Sequence, residues 1–259
     1  MHTPNRGRKL GWRAAYELLG AQVRRPEWAF MNYGYAAPDG TEPLVLDPPD
    51  EPDRLCIALY ERALDGTPLT GRDVLEVGSG RGGGSAWIAR RHRPRRTVGL
   101  DFSASAVALS RRHRRAAGLS FVRGDAQAMP FPDASFDVVV NVESSHCYPD
   151  PSGFVREVRR VLRPGGTFCF ADFRPADAVP ALLADLSADG LRLVAHHDIT
   201  PQVVAALRAD DTRKAALISS WLPRPVHPLM RRFAALEGSP GFDAFASGRT
   251  SYVVARLDG

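Results

Sequence analysis

Lysine is almost missing from this chain: Lys9 and Lys214 are the only two in 259 residues. A hydride-transferring dehydrogenase built on a Tyr-x-x-x-Lys pair is therefore excluded, because neither lysine follows a tyrosine at that spacing. Cysteine is also scarce. Cys56, Cys147 and Cys169 form no CxxC and no even-numbered framework, which points to a reducing, cytoplasmic setting and argues against a zinc site. No apolar run approaches the length of a membrane span, and the opening MHTPNRGRKLGW lacks the apolar segment of a secretion signal. No internal repeat or low-complexity tract appears.

With lysine scarce, arginine supplies nearly all of the positive charge behind a net +5. Two clusters, RRHRPRR (Arg90 to Arg96) and RRHRR (Arg111 to Arg115), fall at the ends of predicted helices, where cations complement the macrodipole. No aromatics interleave with them, so a base-stacking platform is not indicated. The favoured reading is a solvated face; nucleic-acid binding is the alternative, and salt-dependent RNA retention would discriminate the two.

From Asp73 onward strand-like and helix-like stretches alternate. The strands are DVLEVGS, TVGLDFS, LSFVRGDA, FDVVVNVES, GTFCFADF, LRLVAHHDI and TSYVVARL. Helical patterns lie between most of them, including SASAVALSRRHRRAAG ending at Gly118, PSGFVREVRRVL, Val179 to Ala188 and Pro201 to Leu222. This alternation predicts an α/β fold with a seven-stranded, mostly parallel, Rossmann-like sheet and helices on both faces. Residues 1–72 hold Trp12, Tyr16, Trp28, Phe30, Tyr33 and Tyr35 ahead of a turn-rich tract. They read as a helical lead-in and lid on a domain spanning 73–259.

The most informative stretch is VLEVGSGRGGG, Val74 to Gly84, with five glycines in its last seven residues. Glycine lets a ligand approach the main chain where a Cβ would stand in the way. The loop also opens a helix N-terminus, which suits polar or anionic groups. Gly78, Gly80 and Gly83 satisfy G-x-G-x-x-G, a weak signal by itself and equally consistent with a tight packing turn. Asp101 closes the second strand twenty-one positions after Gly80, where a carboxylate can accept from both ribose hydroxyls of a nucleoside. Helix capping is its competing role, although Ser103 or Ser105 could serve there. To this point NAD and S-adenosylmethionine fit equally.

Three later marks separate them: GDA (Gly124 to Ala126), MPFPDASFDVVV (Met129 to Val140) and LRPGG (Leu162 to Gly166). With LEVGSGRGG, this ordered set resembles the class I S-adenosylmethionine-dependent methyltransferases over roughly residues 70–175. The resemblance implies S-adenosyl-L-methionine as cofactor. It assigns Glu76, Gly78, Ser79 and Gly80 to the cofactor loop, with Glu76 near the cationic amino end. It gives Asp101 to the ribose, Phe102 to the flank of the adenine, Asp125 and Ala126 to the adenine amino edge, and Asn141 to the methionine moiety. FMNYGY (Phe30 to Tyr35), NVESSHCYPD (Asn141 to Asp150) and DITPQVVAAL (Asp198 to Leu207) are similar to a narrower group, the phthiotriolone-type and polyketide O-methyltransferases.

Methyl transfer from a sulfonium is an in-line displacement that needs alignment, and an alcohol acceptor must also lose a proton. His146, just past the fourth strand, is the candidate base, with a backbone-bonded loop histidine as the competing reading. Glu143 holds the cofactor or orients His146. Of the adjacent pair His196 and His197 only one can face a pocket, since neighbouring strand residues point opposite ways; His197, with Tyr33 and Tyr35, is assigned to the substrate side. No Asn/Asp-Pro-Pro-Tyr follows the fourth strand, which lowers the weight of exocyclic amide and base amine acceptors. The expected acceptor is a small hydroxylated polyketide, lipid or aromatic, handled by a monomer or homodimer. C- or N-methylation, or a cyclisation on a methyltransferase-like scaffold, remains the alternative.

Overall fold

Alternating apolar residues divide the centre of the sheet between two cores. Val138, Val140 and Val142 face one side and Val139 the other; Cys169 and Ala171 oppose Phe168 and Phe170 in the same way. That is the period of a strand covered on both faces. The structure, a computed structural model, describes residues 25–259, so Trp12 and Tyr16 lie outside the described residues.

The strands are β1 (Asp73–Val77), β2 (Arg96–Asp101), β3 (Leu119–Arg123), β4 (Phe136–Val142), β5 (Leu162–Pro175), β6 (Arg192–Asp198) and β7 (Thr250–Asp258). Their spatial order is β3-β2-β1-β4-β5-β7-β6. All pairings are parallel except those of β7, which runs antiparallel to β5 and β6. The expected seven-stranded, mostly parallel sheet is what forms. The helices are α1 (Arg54–Leu64), α2 (Gly83–Arg91), α3 (Ala104–His113), α4 (Pro151–Val161), α5 (Val179–Leu186), α6 (Thr200–Trp221), α7 (His227–Phe233) and α8 (Pro240–Ala246). Side chains of α1, α2, α6 and α8 build one core, and those of α4 and α5 the other.

From β1 the chain winds outward through β2 and β3, then returns to lay β4 on the other side of β1. The crevice at this reversal, beyond the carboxyl ends of the strands, is where such sheets bind ligands.

Two boundaries and one stretch differ from the sequence reading. α3 stops at His113 rather than Gly118; Arg114 turns extended and sends its side chain to the carbonyls of Pro26 and Arg81. β5 begins at Leu162 instead of Gly166, because a register shift opposite Phe136–Val138 absorbs the RPGG turn into the strand. Two short helices, α7 and α8, occupy a stretch that carried no assignment. Each has a proline in its first turn, and the Ser239 hydroxyl caps α8 by accepting from Phe242 N–H.

The arginine clusters are partly committed within the fold. Arg90 pairs with Asp50, and Arg95, Arg96 and Arg163 converge on the buried Asp73. No helix among the described residues is long and apolar enough to cross a membrane. No group of three or more His, Cys, Asp or Glu among them could hold a metal ion.

Candidate functional site

The glycine loop leaves β1 with Gly78, Gly80 and Gly82 at φ of 77°, 51° and 77°, a region that suits glycine. It is hung from the neighbouring strand: Gly78 N–H and Ser79 N–H both donate to Leu100 O, at 2.8 and 3.0 Å. Gly80 N–H donates to Asp101 Oδ2 at 2.7 Å, while Asp101 Oδ1 accepts from Ser103 N–H at 2.9 Å. Ser103, not Asp101, caps α3 by accepting from Ala106 N–H. Asp101 thus positions the loop and the turn into α3 with its two oxygens.

The loop forms one wall of a cavity of about 560 Å³ at the carboxyl ends of β1, β2 and β4. Of the residues singled out in the sequence, Gly78, Ser79, Gly80, Asp101, Phe102, Asp125, Ala126, Tyr33, Glu143 and His146 all line it. Asp125 sits in a tight turn, accepting from Gln127 N–H at 2.9 Å.

Four expectations need correction. Glu76 does not reach the cavity. It is 1% exposed and accepts from Tyr60 OH at 2.6 Å and from the Ser85 hydroxyl, bracing the loop from beneath. Burial pushes its pKa up to about 7, with the two hydroxyl donors working against that rise. Asn141, fully buried, is likewise a brace: its amide donates to Val77 O at 2.9 Å and to the Ser144 hydroxyl at 2.7 Å. Tyr35 packs on the core, with its N–H on Leu55 O. His197 is exposed on β6, the outermost strand, away from the cavity, and so is His196. Counting strands from the sequence does not reveal that β6 lies beyond β7.

Sequence reasoning missed the partner that defines His146. Its Nδ1 lies 2.8 Å from Asp172 Oδ1, and its backbone N–H donates to Asp172 Oδ2 at 2.9 Å. Asp172 is fully buried near the carboxyl end of β5 and also receives the Ser145 hydroxyl at 2.6 Å and Arg174 at 3.3 Å. The imidazole packs on Phe173, with centroids 4.4 Å apart. Burial alone would lower the histidine's pKa, but the Asp172 carboxylate outweighs it and pushes it up to about 10. Desolvation opposes ionisation of Asp172, yet His146 and Arg174 hold it well below the usual carboxylate range. The result is an ion pair with a buried carboxylate and a half-buried imidazole that presents one edge to the cavity.

Glu143 stands at φ 46°, a strained setting for a non-glycine residue and one that recurs at functional sites. Its Oε1 accepts from Tyr33 N–H at 2.8 Å and from Tyr252 OH at 2.9 Å. Burial raises its pKa to about 7. Through Tyr33 it anchors a strap, residues 28–33, that crosses the glycine loop. Ala29 O accepts from Gly83 N–H at 3.2 Å, and Arg81 donates to Trp28 O at 2.6 Å while stacking on the Trp28 ring. A Cβ on Gly80 would stand 2.5 Å from Met31 Cε of the strap. Aromatics in the lead-in pointed toward this cover, but nothing in the sequence marked Arg81 as its latch.

Bare backbone at the loop, the Asp101 carboxylate beside it and a second carboxylate at Asp125 offer acceptors of the kind that the hydroxyl and amino groups of a nucleoside need. The cavity is within the ordinary range for a small-molecule site.

Comparison with known proteins gives four further findings. A family model described as a methyltransferase domain matches residues 75–170. The phthiotriol/phenolphthiotriol dimycocerosates methyltransferase of Mycobacterium tuberculosis is 39% identical over 244 residues, covering 94% of this chain and 90% of that protein. The fatty-acid O-methyltransferase of Mycolicibacterium smegmatis is 37% identical over 217 residues, 81% and 79% of the two chains. Among solved structures, the geranyl diphosphate C-methyltransferase from Streptomyces coelicolor, in complex with S-adenosyl-L-homocysteine, shares the fold. Its TM-score is 0.65 at 17% identity, over 94% of this chain and 97% of that one.

Proposed function

Since this chain belongs to the class I S-adenosylmethionine-dependent methyltransferases, with S-adenosylmethionine as cofactor, we propose that it methylates a hydroxyl oxygen of a lipid or polyketide-type acceptor. The observation that carries the reading is the His146–Asp172 pair at the cavity wall, an oriented base where an acceptor proton must leave. When bound, the cofactor supplies an activated methyl group on its sulfonium.

The chain's residues then have separable tasks. Asp101, held beside the glycine loop by Gly80 and Ser103, accepts from the ribose hydroxyls. Asp125 and the Ala126 backbone hold the adenine amino edge, and Phe102 flanks the ring. Ser79 and the glycines give close backbone approach. Asp172 fixes the imidazole orientation, and neutral His146 takes the hydroxyl proton as the oxygen attacks. The strap of residues 28–33 acts as a lid on the domain spanning 73–259; together with Phe173 it excludes water, and Glu143 pins it. Alignment of this kind is worth on the order of 7–11 kcal/mol, and a positioned base adds ~10²–10⁴-fold.

A second reading has its own observation. A histidine held cationic by Asp172 would anchor an acceptor that is already ionised, such as a fatty-acid carboxylate, and no base would be needed. Trideuteromethyl-labelled cofactor with hydroxylated lipids, polyketides and fatty acids separates the two by product and by pH. A hydroxyl acceptor gives rates that climb as His146 loses its proton; a carboxylate acceptor gives rates that fall.

A further inference from the structure

Between Asp211 and Glu237 the chain carries no carboxylate in twenty-five residues, yet it holds Arg213, Lys214, Arg224, Arg231, Arg232 and His227. Arg213 and Lys214 are committed inward to Asp210. Glu237 at the far border is taken by Arg208. Arg224, Arg231 and Arg232 are exposed and make no ion pair among the described residues. Between them stands Leu229, 45% exposed, one of four large hydrophobic side chains left so open among the described residues.

This exposure is not an unfinished core. The adjacent Met230 is 2% exposed and packs with Ile218 and Leu236, so α7 already has a buried side. Pro223, Pro225 and Pro228 lack N–H groups, which leaves fewer backbone donors to lose water at an apolar surface. The same element reaches the site: Arg232 and Phe233 line the cavity, and Phe233 O accepts from Tyr33 OH at 3.4 Å. An exposed leucine on a segment whose exposed arginines make no ion pair among the described residues, beside a cavity read as taking lipids, has the chemistry of a surface that meets anionic headgroups while dipping one apolar side chain among acyl chains. The cluster Arg90 to Arg96 differs in this respect, because three of its arginines are held by Asp50 and Asp73.

We infer that the segment from Pro223 to Phe233 docks the protein on an anionic lipid bilayer, placing the cavity mouth at the source of its acceptor. This rests on the lipid reading of the site.

The test is flotation of the full chain with phosphatidylcholine vesicles prepared with and without phosphatidylglycerol. The parent should float with the anionic vesicles only, and added salt should weaken the association. The variant Arg224→Glu/Arg231→Glu should lose about twenty-fivefold or more, at roughly fivefold per cation removed near the surface. Leu229→Ser should bind more weakly, whereas Arg91→Glu/Arg112→Glu should bind like the parent. Unchanged S-adenosylmethionine binding shows that each variant is folded. Docking is overturned if the parent ignores anionic vesicles, if Arg224→Glu/Arg231→Glu floats as well as the parent, or if Arg91→Glu/Arg112→Glu loses as much. It is also overturned, in favour of a nucleic-acid surface, if single-stranded RNA rather than vesicles is retained through these arginines. Methylation of a detergent-dispersed acceptor by a protein that ignores vesicles would sink the docking face alone; vesicle binding with no methyl transfer would sink the lipid reading of the site alone.

Discussion

Replacing Asp172 by asparagine should shift the pH dependence of methyl transfer to a hydroxyl acceptor by several pH units. In the parent the carboxylate lies 2.8 Å from His146 Nδ1 and pushes the imidazole pKa up to about 10. Only neutral imidazole accepts a proton, so at neutral pH about one molecule in ~10³ carries the free base, and kcat/KM should climb roughly tenfold per pH unit toward that value. Asparagine removes the negative charge, and the rising limb should move toward the ordinary histidine value of about 6.5. The plateau should drop as well, because the amide keeps a single acceptor oxygen for the imidazole, the Ser145 hydroxyl and Arg174. Leaving Arg174 without its buried partner should cost about 3–5 kcal/mol of stability, visible as a lower Tm. The assay is initial rate against pH with saturating cofactor, from neutral to strongly alkaline buffer. A rising limb at the same pH in parent and Asp172→Asn would refute the argument that Asp172 sets the base. If the variant does not fold, His146→Ala serves instead, and persistence of the limb there refutes it equally.

Asp101→Ala should weaken S-adenosylmethionine binding more than tenfold by calorimetry, since charge-assisted hydrogen bonds are worth about 1.5–3 kcal/mol and the Gly80 N–H is released as well; unchanged affinity would remove Asp101 from the ribose. Gly80→Val should abolish binding, because a β-branched residue resists the loop's φ of 51°, whereas the flexible Met31 side chain, whose Cε lies 2.5 Å from the new Cβ, can move aside; normal binding would show that the loop tolerates a side chain. Glu143→Gln should keep the strap in place, as one oxygen accepts both Tyr33 N–H and Tyr252 OH, whereas Glu143→Ala should speed proteolysis within residues 25–47. The folded-state pKa of Glu143 is raised to about 7, above its unfolded value of about 4.3, so the folded protein binds more protons in that window and parent stability falls as pH rises across it, by up to about 1.4 kcal/mol per pH unit. In Glu143→Gln that slope should flatten, and an identical Tm profile for the two proteins would contradict the assignment.

The parts of this site that were legible in the sequence are those written in local pattern. Five glycines after an apolar run, an acid at the end of the next strand and GDA after the third each name a strand end, and parallel topology brings strand ends together. Side-chain direction was not legible. Glu76 and Asn141 sit on β1 and β4 at the right height but point into the sheet's packing, where Tyr60, Ser85 and Val77 take them. Asp172 hid in FADF because a lone carboxylate in an apolar strand carries no motif; only the β4–β5 pairing and the turn after β4 set it beside His146. His197 was misplaced for the opposite reason, since the crossing order of β6 and β7 is a tertiary fact. The strap shows both sides: its aromatics are visible in composition, while its anchors, Arg81 and Glu143, come from residues distant in the chain.

Methyl transfer to a lipid or polyketide oxygen, with His146 as base, is the proposed reaction of this cavity. Its most direct test is product analysis after incubation of parent and His146→Ala with trideuteromethyl-labelled S-adenosylmethionine and a hydroxylated lipid. The account predicts one labelled methyl on the hydroxyl oxygen, formed at least ~10²-fold more slowly by His146→Ala with cofactor affinity nearly unchanged. Label on carbon or nitrogen, or an undiminished rate from His146→Ala, would contradict it.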